Sequence, residues 1–452
     1  MSGTPRPGRA EREAAGTALR ADVPRSAPAD WKPAPDRDPL APLDTACEGR
    51  ISALLALRAE RMARSPFAFY RGAAALMARD LATLPVSGLT VQCCGDAHIL
   101  NFGGFATPER RVIFDINDFD ETLPGPWEWD VLRLATSVVL GARERGFSKK
   151  TIRAAVLATV QCYRLQMAAY AAKGPLDLWY ERFDEARLLA AAPMPADRQP
   201  DGAIAKLTTG AGWDRRFVDD RPTLFHTTPA ADTTTSDDTM TGDDVDFPAI
   251  FAAYPKTLSP TIAHLFGRYT LVDTAFKVVG VGSVGTRCGI GLFTDGDDHW
   301  LLLQVKESQH SALEPYLTPS VYENQGQRCV QGQRIMQYAS DIFLGWSSFD
   351  GHDYYVRQFR DMKTGVDLAA LAEQPYLAYV EYCARALAMG HARSGDAAAI
   401  AAYLGKKDTF DKAALAFSQR YADLTEADHA RFVAREKSMA VTLPAPPPST
   451  EH

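Results

Sequence analysis

Asp96 and Asn101 stand five residues apart in Cys94-Gly95-Asp96-Ala97-His98-Ile99-Leu100-Asn101, and Asp115, Asp118 and Asp120 follow in Val112-Ile113-Phe114-Asp115-Ile116-Asn117-Asp118-Phe119-Asp120. Asp96 supplies a candidate base, and the other side-chain oxygens suit a hard divalent cation. Magnesium bound to a nucleoside triphosphate needs that combination. His98, between the two, reads better as a residue that holds the loop through hydrogen bonds than as a proton carrier.

Gly280-Val281-Gly282-Ser283-Val284-Gly285 fits the pattern G-x-G-x-x-G, a weak signal alone because dinucleotide folds and kinases both use it. A dinucleotide fingerprint requires a helix straight after the glycines, whereas Thr286-Arg287-Cys288-Gly289-Ile290-Gly291-Leu292-Phe293 predicts a strand. The glycines therefore predict a hairpin tip laid over phosphates, where bare backbone N–H groups must approach closely. Lys306, at the end of Leu301-Leu302-Leu303-Gln304-Val305, adds a positive charge for phosphate oxygens. Taken singly, a glycine hairpin and a snorkelling surface lysine would explain these features; their occurrence beside the Asp/Asn loop favours the phosphate site.

The chain resembles kinase-like phosphotransferases. Gly95-Asp96-Ala97-His98-Ile99-Leu100-Asn101 is similar to the G-D-x-H-x-x-N catalytic loop of aminoglycoside and choline kinases, Ile116-Asn117-Asp118-Phe119-Asp120 to their I-D-[FW]-[DE] metal segment, and Trp127-Glu128-Trp129-Asp130-Val131-Leu132-Arg133-Leu134-Ala135 to the helix that follows it. The resemblance implies that Asp96 orients or deprotonates the attacking hydroxyl and that Asn101 and Asp118 hold magnesium, with Asp115 the alternative metal ligand and Asp120 a further candidate. It also implies that Gly280, Gly282, Ser283, Gly285 and Lys306 bind the nucleotide. The glutamate that pairs with the lysine in such enzymes is Glu314 or Glu323, and Glu323 is favoured because it opens a predicted helix. Cys94 departs from the histidine usual before Gly-Asp.

The order of parts also departs, because the glycine turn and its lysine follow the catalytic loop instead of preceding it. Circular permutation of a two-lobed fold, whose termini lie near one another, accounts for that. From about Ala56 to Gly405 the chain is also similar to a bacterial family known only as domain of unknown function 2252. Ser65-Pro66-Phe67-Ala68-Phe69-Tyr70-Arg71-Gly72, the two acidic motifs, the glycine turn, the Lys306 strand and Arg357-Gln358-Phe359-Arg360-Asp361-Met362-Lys363 carry that likeness. Arg357, Arg360, Asp361 and Lys363 suit a nucleotide contact or an interlobe ion-pair network, and Arg71 is read as a loop anchor.

The elements that must position these residues follow from periodicity and breakers. Helices are predicted from Ile51 to Arg64 and from Arg71 to Leu84, then a strand-loop-strand hairpin of Leu89–Cys93 and Arg111–Phe114 carrying the acids, then helices over Trp127–Gly146 and Lys150–Ala172. Further on, strands flank the glycine turn, a helix spans about Tyr322 to Ala339, Asp353–Phe359 forms another strand, and helices close the chain from Tyr376 to about Ala434. His391-Ala392-Arg393-Ser394-Gly395-Asp396 reads as a helix end with a glycine stop and a new aspartate cap. The expected fold is therefore α+β, a two-lobed protein-kinase-like fold in permuted order.

The organisation expected is a disordered lead-in over 1–45, a helical lobe with the catalytic and metal loops over 46–195, a polar insertion or linker over 196–245, a β-rich nucleotide lobe over 246–365, helices over 366–435 that complete the first lobe, and a disordered tail over 436–452. A formal net charge of -7 argues against general nucleic-acid binding and against anionic lipid surfaces. Seven scattered cysteines without C-x-x-C spacing read as reduced thiols, and no apolar run approaches a membrane span, so a cytoplasmic location is expected. The function expected is ATP- and magnesium-dependent phosphotransfer to a hydroxyl of an unidentified acceptor, with another nucleotide or nucleotidyl transfer also open. A pseudokinase-like binding module is the non-enzymatic alternative; a metallophosphoesterase is weaker, because it leaves the glycine turn and Lys306 without a role.

Overall fold

The computed structural model describes residues 6–181, 206–210, 212–226, 245–297, 299–359 and 366–442. The fold is mixed α+β, and its buried apolar residues gather in two large cores. One core lies among helices and the other beneath an antiparallel sheet. The loop Cys94–Asn101 belongs to the first, the glycine turn to the second.

The helical core is organised around the helix Trp127–Glu144, whose residues from Trp127 through Ala142 are all buried. Glu128 and Asp130 occupy its first turn, where carboxylates complement the unpaired N–H groups. Ser148 caps the helix Lys149–Ala171 by accepting the Thr151 N–H. That helix packs along Glu373–Ser394, so segments more than 200 residues apart share one core. Trp127 stacks on Tyr163 at 5.7 Å and meets Phe410, from the helix Thr409–Thr442, at 5.0 Å. Truncating such a buried tryptophan typically costs about 3–5 kcal/mol.

Four short strands border this core: β1 (Thr90–Cys93), β2 (Phe102–Ala106), β3 (Val112–Ile116) and β4 (Leu123–Pro126). The expected hairpin of β1 with β3 does not form. β1 pairs with β4 and β2 with β3, both antiparallel, because the loop Cys94–Asn101 feeds directly into β2 and leaves β1 free to take up the strand after the acids. β2 is buried throughout and was not legible as a strand, since its two glycines mask its pattern.

A small pair, β5 (Thr208–Thr209) and β6 (Arg216–Phe217), precedes the main sheet. That sheet contains β7 (Leu224–Phe225), β8 (Thr270–Lys277), β9 (Cys288–Thr294), β10 (Trp300–Glu307), β11 (Gly345–Phe349) and β12 (His352–Gln358), in the spatial order β11-β12-β10-β9-β8-β7. A strand, β9, follows the glycine turn, as the sequence predicts. Lys306 stands opposite Cys288 on β9 and Tyr355 on β12, which places it in the middle of the sheet.

Three expectations about the chain's ends and boundaries change. Within the lead-in expected to be disordered, helices form at Arg9–Ala18, Ala27–Asp30 and Ala41–Thr45, and Trp31 is buried against Phe417 and Tyr421. Arg37 there binds Asp80 at 2.8 Å and Asp428 at 2.7 Å, all three side chains buried. The tail boundary at 436 falls inside the helix Thr409–Thr442; residues 443–452 lie outside the described residues, as does most of the 196–245 insertion. The helix predicted from Tyr322 starts at Gln325, because Asn324 caps it by accepting the Gln327 N–H. Among the described residues no helix is long and apolar enough to cross a membrane.

Candidate functional site

The loop after β1 is held from below by the first turn of Trp127–Glu144. Asp130 accepts the N–H groups of Cys94 at 2.7 Å and Gly95 at 3.1 Å, and His391 and Tyr163 extend the network, with His391 Nε2 3.2 Å from Asp130 and Nδ1 2.8 Å from the Tyr163 hydroxyl. Asp130 and His391 are almost wholly buried, so each bond forms in a low-dielectric setting where it counts for more than in water. The loop is thereby fixed at its hinge. Its three-residue turn Ile99–Asn101 brings the Asn101 amide to donate to the Asp96 carbonyl at 2.7 Å, leaving the Asn101 Oδ1 as an acceptor.

Asp96 is bound by a residue the sequence reading did not single out. Arg133, one turn beyond Asp130 on the same helix, donates from Nε to Asp96 Oδ1 at 2.6 Å and from a terminal nitrogen to the Tyr70 carbonyl at 3.1 Å. Burial pushes the Asp96 carboxyl above its ordinary value and the Arg133 charge only partly offsets that. Asp96 Oδ2 lies 3.6 Å from His98 Nε2 and is the oxygen left for another partner. His98 itself is buried, its Nδ1 has no partner among the described residues, and burial together with Arg71 and Arg133 holds its pKa well below the usual range, so the ring is neutral.

The acids after β3 divide sharply. Lys306 lies against Asp120 Oδ2 and 3.6 Å from Asp118 Oδ2. Burial alone would discharge the ammonium, but Asp118 and Asp120 outweigh it and hold the Lys306 pKa well above normal. Asp120, raised by burial yet dominated by Lys306, falls to about 2; its Oδ2 also accepts the Ser283 hydroxyl at 3.0 Å and its Oδ1 the Tyr355 hydroxyl at 3.2 Å. Asp118 is raised, by burial and then by its neighbour Asp120. Arg357 donates to the Asn117 carbonyl at 3.1 Å, and Arg328 donates to the carbonyls of Thr122 at 2.6 Å and Asp120 at 2.8 Å. Arg360, Asp361 and Lys363 lie outside the described residues.

The glycine turn is held by its carbonyls. Arg50 donates to Gly282 O at 2.9 Å and Val284 O at 2.7 Å, the Ile51 N–H to Gly285 O at 2.8 Å, and Arg61 to Val279 O at 2.6 Å. With those carbonyls drawn toward residues 50–61, the short 3-10 turn Val281–Ser283 borders the open side. Nothing lies within 4 Å of where a Gly280 side chain would begin.

A cavity of about 1090 Å³ joins the two halves. Asp96, His98, Asn101, Asp118 and Asp120 line it from the helical side, and Gly280, Gly282, Ser283 and Lys306 from the sheet. Four sequence candidates fall outside its walls. Asp115, on β3, turns its carboxylate to the N–H groups of Ile116 and Tyr338, whereas Asp118 and Asp120 lie beyond the end of that strand. Glu323 is exposed ahead of its helix, and Glu314 binds His310 at 2.7 Å, so neither pairs with Lys306. Gly285 closes the turn at φ +92° and gives its carbonyl to Ile51. Arg71 anchors no loop through its guanidinium, which donates no hydrogen bond among the described residues and has a buried Nε without a partner.

The Asn101 and Asp118 side chains line the cavity, with Asp118 Oδ1 accepting the Asp120 N–H at 3.2 Å and Oδ2 3.6 Å from Lys306, whereas Asp120 is committed to Lys306, Ser283 and Tyr355. Among the described residues no group of three or more His, Cys, Asp or Glu side chains could hold a metal ion.

A family model described as "Uncharacterized protein conserved in bacteria (DUF2252)" matches residues 50–435. No curated protein and no solved structure matches the chain.

Proposed function

We propose a chemistry for a chain that belongs to the bacterial DUF2252 family: its cavity binds a magnesium–nucleoside triphosphate complex and transfers the terminal phosphoryl group to a hydroxyl. The observation that carries this reading is the convergence of Asp96, Asn101, Asp118, Lys306 and the Gly280–Ser283 turn on one cavity from segments some 200 residues apart in the chain. Phosphoryl transfer asks a protein mainly for positioning and for charge around the phosphates, and little covalent chemistry. The sheet supports a kinase-like nucleotide lobe: a glycine turn between β8 and β9, a lysine on the third strand of that run, then a helix and two more strands. A permuted order of the two halves follows from the same reading.

In this mechanism the N–H groups of the glycine turn and the Lys306 ammonium bind phosphate oxygens. Asn101 and Asp118 would hold magnesium, which when bound neutralises charge on the phosphates. Asp96 Oδ2 accepts the proton of the acceptor hydroxyl as the acceptor oxygen bonds to the γ-phosphorus. The bond from that phosphorus to the β-bridging oxygen breaks, and the nucleoside diphosphate leaves with the electron pair. A carboxyl raised by burial is a better base than an exposed one, and the Arg133 bond to Oδ1 keeps Oδ2 directed at the cavity.

One observation favours binding without turnover as the second reading. Lys306 is bound by the acids themselves, with no glutamate from the following helix. Incubation with magnesium and γ-labelled ATP, set beside Asp96→Ala and Asp118→Ala, separates the two. Label transferred or released by the wild type and lost in both variants supports phosphotransfer. Nucleotide bound without transfer leaves the second reading, and no binding ends both.

A further inference from the structure

We infer that Arg71 binds the terminal phosphoryl group, a charge-stabilising arginine supplied by the chain itself; this rests on the phosphotransfer reading. Arg71 ends the short helix Pro66–Arg71, which Ser65 caps by accepting the Ala68 N–H, so its position is set by a defined element. Of the arginines lining the cavity, Arg50 is spent on the carbonyls of Ala46, Gly282 and Val284, Arg58 on Gly72 O, Arg79 on Asp38 O, and Arg357 on Asn117 O and Gln304. Arg71 differs. Its guanidinium makes no ion pair and no hydrogen bond among the described residues, although its Nε is buried.

Burying a guanidinium nitrogen without a partner is costly, and such a group is retained where a ligand completes it. The surroundings define that ligand. A Cβ at Gly282 would stand 3.3 Å from the Arg71 carbonyl oxygen, so the arginine abuts the glycine turn. Burial lowers the Arg71 pKa, and the charges of Asp96, Glu144 and Asp118 partly offset that cost. Arg71 therefore lines one cavity with the turn that would cradle the phosphates and the aspartate that would take the acceptor's proton. The terminal phosphoryl group must pass between those two places. Its peripheral oxygens carry the charge that a planar fork of N–H donors matches best.

The test compares a diphosphate with a triphosphate. Calorimetric titrations with magnesium and either ADP or the β,γ-methylene analogue of ATP would be run on wild type, Arg71→Ala and Arg71→Lys. The expected result for Arg71→Ala is a ten- to hundredfold loss of affinity for the analogue and less than a threefold change for ADP. Arg71→Lys should lose affinity in the same selective way but less, and it carries the test if Arg71→Ala does not fold by circular dichroism. An equal loss for both ligands, or no loss for either, would overturn the role of Arg71 while leaving the nucleotide site standing. A wild type that binds neither ligand overturns the phosphotransfer reading, and this inference with it.

Discussion

Arg133 Nε lies 2.6 Å from Asp96 Oδ1, with the guanidinium carbon 4.4 Å from the centre of the Tyr70 ring. The pair sits under the loop with the arginine almost wholly buried, so each charge depends on the other for compensation. Arg133→Met should cost about 3–5 kcal/mol in urea denaturation, because it strands a buried carboxylate. Adding Asp96→Asn to that variant should recover part of the loss. A single variant as stable as wild type would mean that solvent, and not Arg133, satisfies Asp96.

Gly95 and Gly88 make a matched pair of left-handed glycines, at φ +83° and +80°. A Cβ at Gly95 would meet the Glu121 carbonyl oxygen at 2.2 Å, whereas at Gly88 nothing lies within 4 Å. Both alanine variants carry the backbone penalty of about 1 kcal/mol, and Gly95→Ala adds a clash with main chain that cannot rotate away. Urea midpoints should therefore separate the two widely. Equal losses would show that the loop can shift off Glu121.

Lys306→Met keeps the side chain's length and removes its charge, leaving Asp118 and Asp120 as unshielded neighbours. On the phosphotransfer proposal, which makes the ammonium a phosphate ligand on the sheet side, affinity for magnesium–ATP should fall at least tenfold by calorimetry. Unchanged affinity would put the phosphates elsewhere.

Burial drives the Glu128 carboxyl up to about 7, although Oε1 accepts the Ser87 N–H at 2.8 Å. Its folded pKa lies above the unfolded value of 4.5, so between those values the folded state holds the extra proton. Stability must therefore fall as pH rises through that window, by up to about 3 kcal/mol from this group, and level off above it. Glu128→Gln keeps an acceptor for Ser87 and removes the titration. Relative to wild type the variant should gain stability steadily from pH 4.5 to 7 in thermal or urea melts. Parallel curves would show that Glu128 ionises normally.

Arg37 ties the first forty residues to both Asp80 and Asp428. Arg37→Met should cost about 3–5 kcal/mol, since two buried carboxylates lose their shared cation. A loss below about 1 kcal/mol in urea would mark the lead-in as loosely attached.

Much of the site was legible in residue types and spacing, because local chemistry is written in short runs. The Asp96–Asn101 loop, the acids after β3, the glycine turn and Lys306 could be named as one set from residue types and spacing, and they line one cavity. The strand after the glycines and the Asp396 cap were equally readable, for β-branched residues and side-chain caps act within a few positions. Only tertiary structure decided which acid faces the cavity. Asp115 and Asp118 are alike in sequence, and the Tyr338 N–H on one and Lys306 from a distant sheet on the other separate them. The partners of Asp96, Asp130 and the glycine turn were hidden for the same reason, because Arg133, His391 and Arg50 gain their meaning from packing between segments far apart in the chain. The lead-in misled because its proline-rich composition lacks periodicity, while its order comes from Trp31 and Arg37 meeting partners that only the folded chain presents.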